Sequence, residues 1–257
     1  MLKSGSTLAF ELCKSVLSQR KFEQRRLPDG VVASGHHINF IDQVTVPVLS
    51  RALEEVSPSE VIAIKTHAAI RLAEMQFVEM AVSQGRMKVQ VNLRDPREMC
   101  LSLVDAGASA REKKRQAFSE ITSLEQAALI VDRQLAVCRS WGSLRGATYL
   151  HYNEVAFDTS AAVRRICDDL DLEMLGADES QTVIDRVFNE AFTQRNKAVR
   201  DRYKDDLTVR QNESLLEGMR RARGFIRRVC EKQDYGWFVQ PNEGLADAVK
   251  AHSETAP

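Results

Sequence analysis

The sequence predicts an α/β fold with a central, mainly parallel β-sheet flanked by helices. Three short apolar segments are typical of strands, namely Val61–Ile64, Lys88–Leu93 and Ala147–Tyr152. Between them, apolar residues recur at helical spacing, over the longest stretch in Ala108–Trp141. Strands that alternate with helices predict βαβ units and a parallel sheet, so any ligand site is expected at the carboxyl ends of the strands.

Length, composition and charge limit the number of domains, the class of protein and the partners that can be expected. The 257 residues fit one α/β domain, assigned to residues 1–240, and the tail 241–257 is expected to be mobile because it lacks a periodic pattern. Hydrophobic residues at 44% and charged residues at 28% indicate a soluble globular protein. Lys+Arg and Asp+Glu both number 36, and no apolar run could span a membrane, so neither nucleic acid nor membrane is an expected partner. The five cysteines stand singly, which favours reduced thiols and a cytoplasmic location.

The chain begins with Lys3-Ser4-Gly5-Ser6-Thr7, which leads directly into a helix predicted over Thr7–Ser18. Small residues that open a helix can direct backbone N–H groups and the helix dipole at a phosphate, although an ordinary N-cap looks the same. The lysine precedes the glycine, so the loop lacks the Gly-Lys-Ser/Thr of nucleotide kinases. Such a loop normally follows a buried strand. Met1-Leu2 is too short for one, so we expect either a truncated start or a less well supported cradle.

The run Val61–Ile64 predicts a strand buried on both faces, because it is continuous and rich in β-branched residues. It ends in Lys65-Thr66-His67, at the place where open α/β sheets bind ligands. A strand end that simply emerges into solvent would carry similar residues. The next helix is predicted over Leu72–Gln84, closed by Gly85, with an inward face of Leu72, Met75, Met80 and Ala81.

The alternating segment Lys88–Leu93 predicts a second strand, which ends at Arg94-Asp95-Pro96-Arg97. Aspartate followed by proline marks the start of a helix, and Ser102 lies near the end of its second turn. We therefore expect Arg94 and Ser102 to converge on one anion. The apolar face of this helix is predicted to contain Met99, Cys100, Leu103 and Val104.

Beyond residue 107 the sequence predicts one long helical region over Ala108–Trp141 and then the third strand. In that strand Tyr149 and His151 are expected to face away from Leu150 and Tyr152. The capping box Thr208-x-x-Gln211 opens a last helix, predicted to reach about Lys232. Two further helices are predicted over Ser160–Leu172 and Ser180–Thr193, and the adjacent His36 and His37 predict a surface loop rather than a metal pair.

In this order, the segments resemble those of the PAPS-dependent sulfotransferases over residues 1–240. Lys3–Leu8 looks like the family's loop for the 5′-phosphosulfate, and Lys65–His67 looks like the strand end with its catalytic lysine and histidine. Arg94–Arg97, with Ser102 eight residues after Arg94, is similar to the segment that binds the 3′-phosphate. Tyr149–Glu154 is similar to the family's Tyr-Glu-Asp strand, and Leu207–Glu213 resembles the stretch after its last cofactor loop. The resemblance implies a P-loop-like sulfotransferase fold.

The resemblance also implies a function: sulfuryl transfer from PAPS (3′-phosphoadenosine 5′-phosphosulfate) to an acceptor hydroxyl, with release of PAP and without a metal. Lys3 and Lys65 would neutralise charge on the leaving 5′-phosphate and on the sulfuryl group, and His67 would take the hydroxyl proton. Binding of the donor is implied for Lys3, Ser4, Gly5, Ser6, Thr7, Leu8, Arg94, Ser102, Tyr152 and Lys197.

Three departures from the family pattern stand out. Leu8 replaces the aromatic residue that often stacks on adenine, so we expect adenine to be held by dispersion alone. Asn196-Lys197-Ala198 replaces Arg-Lys-Gly, and Lys197 is expected still to reach a phosphate. Asn153 stands where a carboxylate is commoner, which weakens any role for that position.

The acceptor and two other functions stay open. Aromatic residues make up only 6% of the chain, which favours a polar acceptor such as a sugar, a glycan or another small molecule. A homodimer is considered, but the sequence does not decide the oligomeric state. One alternative is a P-loop kinase-like nucleotide enzyme, disfavoured by the absent Gly-Lys-Ser/Thr. The other is a sulfotransferase-like scaffold that has lost cofactor binding and serves as a partner-binding subunit.

Overall fold

The computed structural model describes residues 2–35, 38–189 and 199–239, in which helices and short parallel strands share the chain, so the α/β class is confirmed. The strands are β1 (Phe40–Ile41), β2 (Lys65–Thr66), β3 (Gln90–Leu93) and β4 (Thr148–His151). The helices are α1 (Ser6–Gln19), α2 (Val46–Glu55), α3 (Leu72–Ser83), α4 (Pro96–Glu112), α5 (Leu124–Gly142), α6 (Tyr152–Phe157), α7 (Thr159–Asp169), α8 (Ala177–Asn189), α9 (Tyr203–Asp206), α10 (Val209–Gly218) and α11 (Ala222–Phe225), followed by a π-helical turn (Ile226–Cys230) and a 3-10 turn (Tyr235–Val239).

The strands form two separate pairs. β1 pairs in parallel with β2, with Phe40 opposite Lys65, and β3 pairs in parallel with β4, with Leu93 opposite His151. The parallel pairing agrees with the prediction. In the described ranges, however, the four strands do not join into one central sheet.

The segment 61–64 is not a strand, so that prediction is wrong. Val61 and Ile64 are each 37% exposed. Side chains satisfy the backbone of this segment in place of a neighbouring strand: Gln24 bonds one carbonyl at 2.6 Å and one N–H at 3.0 Å, and the amide of Asn39 donates to another carbonyl at 3.3 Å. Pairing begins only at Lys65, whose N–H donates to the carbonyl of Asn39 at 2.8 Å.

The helix α3 forms as predicted and ends before Gly85, which has a φ of 69°. Its inward face is the predicted one only in part: Ala81 is buried and Met75 packs against the core, whereas Leu72 is 88% exposed and Met80 is 48% exposed. The buried positions include Glu74, whose carboxylate pairs with Arg71 at 2.6 Å and so can be withdrawn from water. Val78 and Ala81 complete the buried face.

The start of α4 is confirmed in detail. Asp95 caps the helix by accepting from the N–H of Arg97 at 2.9 Å, and the guanidinium of Arg97 bonds the same carboxylate at 2.6 and 2.9 Å. Pro96 occupies the first turn, where a missing N–H costs nothing. The cap therefore fixes the direction in which the chain leaves β3, with Met99, Cys100 and Leu103 buried as predicted.

The single helical region predicted over Ala108–Trp141 is instead two helices, α4 and α5, joined by a loop. The loop folds back onto α4, where the guanidinium of Arg111 bonds two of its carbonyls at 2.9 and 2.8 Å. Gly107 permits this approach, because a Cβ there would lie 2.1 Å from the carbonyl oxygen of Ile121. Ser123 then caps α5.

The capping box of Thr208 and Gln211 is confirmed at the start of α10. The helix ends at Gly218 rather than near Lys232, because Met219 adopts φ −106° and ψ 90° and inserts its side chain into the core. A short helix and the π-helical turn carry the chain onward to Cys230.

Two apolar clusters lie on opposite sides of the β3–β4 pair. In β4, Leu150 belongs to the smaller cluster, which joins α1, α7 and α8, whereas Tyr149 packs against the larger cluster around α4 and α5. The prediction that Tyr149 and Leu150 face opposite sides of the strand is therefore confirmed. Since Leu8, Leu12 and Val16 are all buried in the smaller cluster, α1 is held rigidly with its first turn beside the strand ends. No helix in the described ranges has the length and apolar character that crossing a membrane requires.

Candidate functional site

The site is built around the loop that opens α1. Lys3 and Gly5 have φ values of 57° and 78°, and these two left-handed residues turn the chain into the helix. The N–H groups of Ser6, Thr7 and Leu8 have no hydrogen-bond acceptor among the described residues, and no side chain caps the helix. The amides of this first turn and the positive end of a 14-residue helix therefore lie together at the start of α1.

Gly5, the ring of Tyr152 and the guanidinium of Arg94 pack together and support the loop. The ring of Tyr152 packs against Gly5 so closely that a Cβ on Gly5 would lie 2.6 Å from the tyrosine Cδ2. The guanidinium of Arg94 also lies over the ring of Tyr152, with 3.8 Å between Cζ and the ring centroid. Only glycine therefore fits at position 5, for its positive φ and for the close approach of the ring.

One flank of the loop, which we call the lysine–histidine flank, consists of Lys65 and His67. The ammonium of Lys65 donates to the hydroxyl of Thr7 at 2.8 Å, and Nε2 of His67 lies 3.2 Å from the hydroxyl of Ser6. The ring of Phe40 meets that of His67 edge-on, with 5.4 Å between centroids. Both predicted catalytic side chains of the strand end thus lie against the first turn of α1.

Burial shifts the titration of both groups. Removal from water lowers the pKa of Lys65 to about 8, although the charge of Glu11 acts in the opposite direction. Burial, with a smaller effect of the Lys65 charge, lowers the pKa of His67 to about 2. At neutral pH the lysine is therefore largely charged but proton-labile, and the imidazole is neutral.

The opposite flank, which we call the arginine–glutamate flank, is closed by its own ion pair. The guanidinium of Arg94 donates to the carbonyl of Lys3 at 3.1 Å and to the carboxylate of Glu98 at 2.9 Å. Nε of Arg94 and Oε1 of Glu98 are buried without a partner. Ser102 is buried one helical turn beyond Glu98, on the same face of α4. The Glu98 carboxylate therefore comes between Arg94 and Ser102 along the chain, although these two residues were expected to bind one anion.

Lys3 contacts an aromatic ring on the arginine–glutamate flank. Its ammonium lies over the ring of Phe118, 4.7 Å from the centroid. Burial lowers the pKa of Lys3, the charge of Arg94 lowers it further, and Asp105 opposes the shift. The lysine therefore contributes positive charge on the arginine–glutamate flank, alongside Arg94.

Other predicted donor-binding residues have different surroundings. The side chain of Leu8 is 4% exposed within the smaller core cluster, which leaves its backbone N–H as the part that can face a ligand. Ser4 is buried in the loop. Tyr152 supports the loop through Gly5 and Arg94. Lys197 lies outside the described residues, as do His36 and His37.

Sequence reasoning missed Glu98 and Glu11, which set the charge balance on the two flanks. The spacing could have indicated Glu98, because residues four apart on a helix are neighbours and Arg94 lies one turn before it. Glu11 likewise follows Thr7 by one turn of α1. Within residues 2–35, 38–189 and 199–239, no three His, Cys, Asp or Glu side chains come together as metal ligands could.

Helix amides, buried cations and a neutral imidazole lie together at the ends of parallel strands. Comparison of the chain with protein-family models, with curated proteins and with solved structures finds no match.

Proposed function

We propose that the protein is a sulfotransferase that moves a sulfuryl group from PAPS to a hydroxyl of an acceptor and releases PAP, within a fold of the P-loop sulfotransferase type. The observation that carries the proposal is the lysine–histidine flank. Lys65 and His67 each contact a hydroxyl of the first turn of α1, at 2.8 and 3.2 Å, beside three unpaired amides. A cation, a neutral imidazole and an amide cradle are the groups that this transfer needs.

The residues present fit the donor at its 5′ end. The amides of Ser6, Thr7 and Leu8 offer hydrogen bonds to phosphate oxygens, and the dipole of α1 favours negative charge there. At the 3′ end the fit is conditional. The buried N–H of Arg94 Nε lacks a partner and suits an anion, whereas the neighbouring Glu98 carboxylate repels one.

In this proposal each residue of the lysine–histidine flank has one task. His67 takes the proton of the acceptor hydroxyl as the acceptor oxygen bonds to sulfur and the bond from sulfur to the 5′-phosphate oxygen breaks. Lys65 neutralises charge on the sulfuryl oxygens, and the helix amides neutralise charge on the departing PAP. The negative charge of the donor raises the proton affinity of His67, which burial alone holds low.

Calorimetric titration with PAP, beside ATP and ADP, tests the proposal. We expect PAP to bind at least about tenfold more tightly than ATP, because Arg94 offers a site for a 3′-phosphate that ATP lacks, and we expect Arg94→Ala to remove that preference. Transfer of radiolabelled sulfate from PAPS to a mixed pool of sugar and phenol acceptors is the second measurement. Absence of PAP binding would refute the proposal, and hydrolysis of ATP would favour the kinase-like alternative.

The arginine–glutamate flank favours a second candidate, a partner-binding scaffold without catalysis. Arg94 already has a buried carboxylate as its counter-ion, so its charge is satisfied without a nucleotide. In that case Glu98→Gln would leave PAP binding undetectable. If sulfotransferase function is correct, the same variant binds PAP more tightly than the unmodified protein.

A further inference from the structure

A groove runs along α1 away from the proposed catalytic site. It encloses a cavity of about 640 Å³, within the size range of small-molecule sites, and Arg186 of α8 and Phe22 form parts of its wall. Its floor consists of the α1 residues Glu11, Lys14, Ser15 and Ser18. None of these residues has a task in the proposed transfer step.

The groove begins one helical turn along α1 from the lysine–histidine flank. Glu11, Lys14, Ser15 and Ser18 follow Thr7 by four, seven, eight and eleven residues, so all five lie in one stripe along the helix. Thr7 bonds Lys65, and the charge of Glu11 acts on Lys65. At 1.5 Å per residue the stripe extends about 16 Å from Thr7 to Ser18.

Charges of both signs line the groove, from Glu11, Lys14, Lys21, Glu23 and Arg186, so it offers hydrogen bonds rather than a field of one sign or an apolar slot. The hydroxyls of Ser15 and Ser18 have no partner among the described residues, and Glu11 is paired with Lys14 at 3.0 Å, so both donors and acceptors face the cavity. The half-buried ring of Phe22 adds one flat apolar surface. This mixture matches a ligand with many hydroxyl groups and apolar ring faces, and it does not match a planar phenol, which needs enclosing aromatic walls.

We propose that this groove binds a saccharide chain as the acceptor, holding the sugar rings that do not react while a hydroxyl at one end reaches His67. This inference rests on the proposed sulfotransferase function. It adds the position of the acceptor and its class: an oligosaccharide, because a single ring cannot extend along a stripe of this length. Affinity for the acceptor is therefore expected to rise with the number of sugar rings.

The test combines an array of immobilised oligosaccharides with a variant that fills the groove. Ser18→Trp places an indole in the cavity, and Gln76→Trp places the same side chain on the exposed face of α3 as a matched control. We expect the unmodified protein and Gln76→Trp to bind a subset of the oligosaccharides and Ser18→Trp to lose at least tenfold in affinity. Should Ser18→Trp not fold, as judged by thermal melting, Glu11→Gln replaces it, with a loss of binding again expected.

Calorimetry with PAP separates failure of this inference from failure of the proposed function. Both tryptophan variants are expected to bind PAP as the unmodified protein does. Absence of saccharide binding by protein that binds PAP, or saccharide binding that neither groove variant weakens, would overturn the acceptor site alone. Loss of PAP binding in all proteins would instead overturn the sulfotransferase function.

Discussion

The two flanks of the α1 loop hold their positive charge in opposite ways. On the lysine–histidine flank, the ammonium of Lys65 donates to the hydroxyl of Thr7, its one hydrogen-bond partner in the part of the chain that the structure describes. On the arginine–glutamate flank, Arg94 is neutralised by the carboxylate of Glu98. A neutral hydroxyl satisfies a donor without cancelling its charge, whereas a carboxylate does both. An anion can therefore bind beside Lys65 without displacing a carboxylate. Beside Arg94, a bound anion would have to replace the carboxylate of Glu98.

This difference has an energetic consequence. The positive charge at Lys65 is destabilising without a ligand, because burial lowers its pKa to about 8 and no carboxylate compensates it directly. The charge of Arg94 is already paired with Glu98 in the free protein. A ligand that reaches both flanks should thus gain most of its binding free energy beside Lys65 and least beside Arg94.

The largest effect is expected on turnover, from the loss of the imidazole on the lysine–histidine flank. His67→Ala should lower the turnover number by about 10²–10⁴-fold, the usual contribution of a general base, with little change in PAP affinity. Steady-state sulfate transfer and calorimetry measure the two quantities. His151→Ala is the matched control, because His151 is also a half-buried histidine but bonds Tyr235 at 2.9 Å. Unchanged turnover in His67→Ala would remove His67 from the mechanism.

The second effect concerns the tyrosine that joins the loop to Arg94. Gly5→Ala combines a positive φ with a Cβ placed 2.6 Å from the ring of Tyr152, and we expect it to lower the free energy of unfolding by about 2–4 kcal/mol. Gly85→Ala is the control, because Gly85 has a φ of +69° with nothing within 4 Å of its Cβ. That variant should cost only about 1 kcal/mol. Equal costs in denaturant unfolding would mean that the ring moves away freely.

The third effect tests the buried charge at Lys65. Lys65→Met removes a charge that burial disfavours, so the protein without ligand should become more stable by on the order of 1–3 kcal/mol at pH 7 while sulfate transfer is lost. Lys113→Met, on an exposed turn, is the control and should change neither. A decrease in melting temperature for Lys65→Met would show that the ammonium stabilises the fold.

The same lysine predicts a pH dependence. Its pKa is about 8 in the folded protein and higher in the unfolded chain, so the unfolded state binds more protons between these values. Stability contributed by this group therefore increases as the pH rises from about 8 toward 10.5, the ordinary pKa of a lysine side chain. Melting curves at pH 7.5 and pH 10 should show this increase in the unmodified protein and a smaller one in Lys65→Met.

Local chemistry explains what the sequence could predict of the fold and site. The cap at Asp95 and the capping box at Thr208 depend on residues close in the chain, and both form as expected. The approach of Lys65 and His67 to α1 followed from one general rule about the carboxyl ends of strands. These features need no knowledge of distant contacts.

The features that sequence reasoning missed depend on distant partners. Val61–Ile64 has the composition of a strand, but the side chains of Gln24 and Asn39 take its hydrogen bonds. The helix expected to continue beyond Gly218 ends because Met219 fits into a core built from other segments. The Glu98 carboxylate is the exception, because it lies four residues from Arg94 and local spacing could have indicated the pair.

The smallest effect decides whether the arginine–glutamate flank accepts an anion at all. Glu98→Gln keeps the shape of the side chain and removes the negative charge that competes for Arg94, so PAP affinity should rise about tenfold, or 1.4 kcal/mol. Glu74→Gln is the matched control, because Glu74 is also buried and paired with an arginine, Arg71, outside the site. PAP affinity that falls in Glu98→Gln would mean that the carboxylate orients Arg94 for binding rather than opposing it. The two flanks would then act as one preorganised cradle, and the contrast between them would apply only to the free protein.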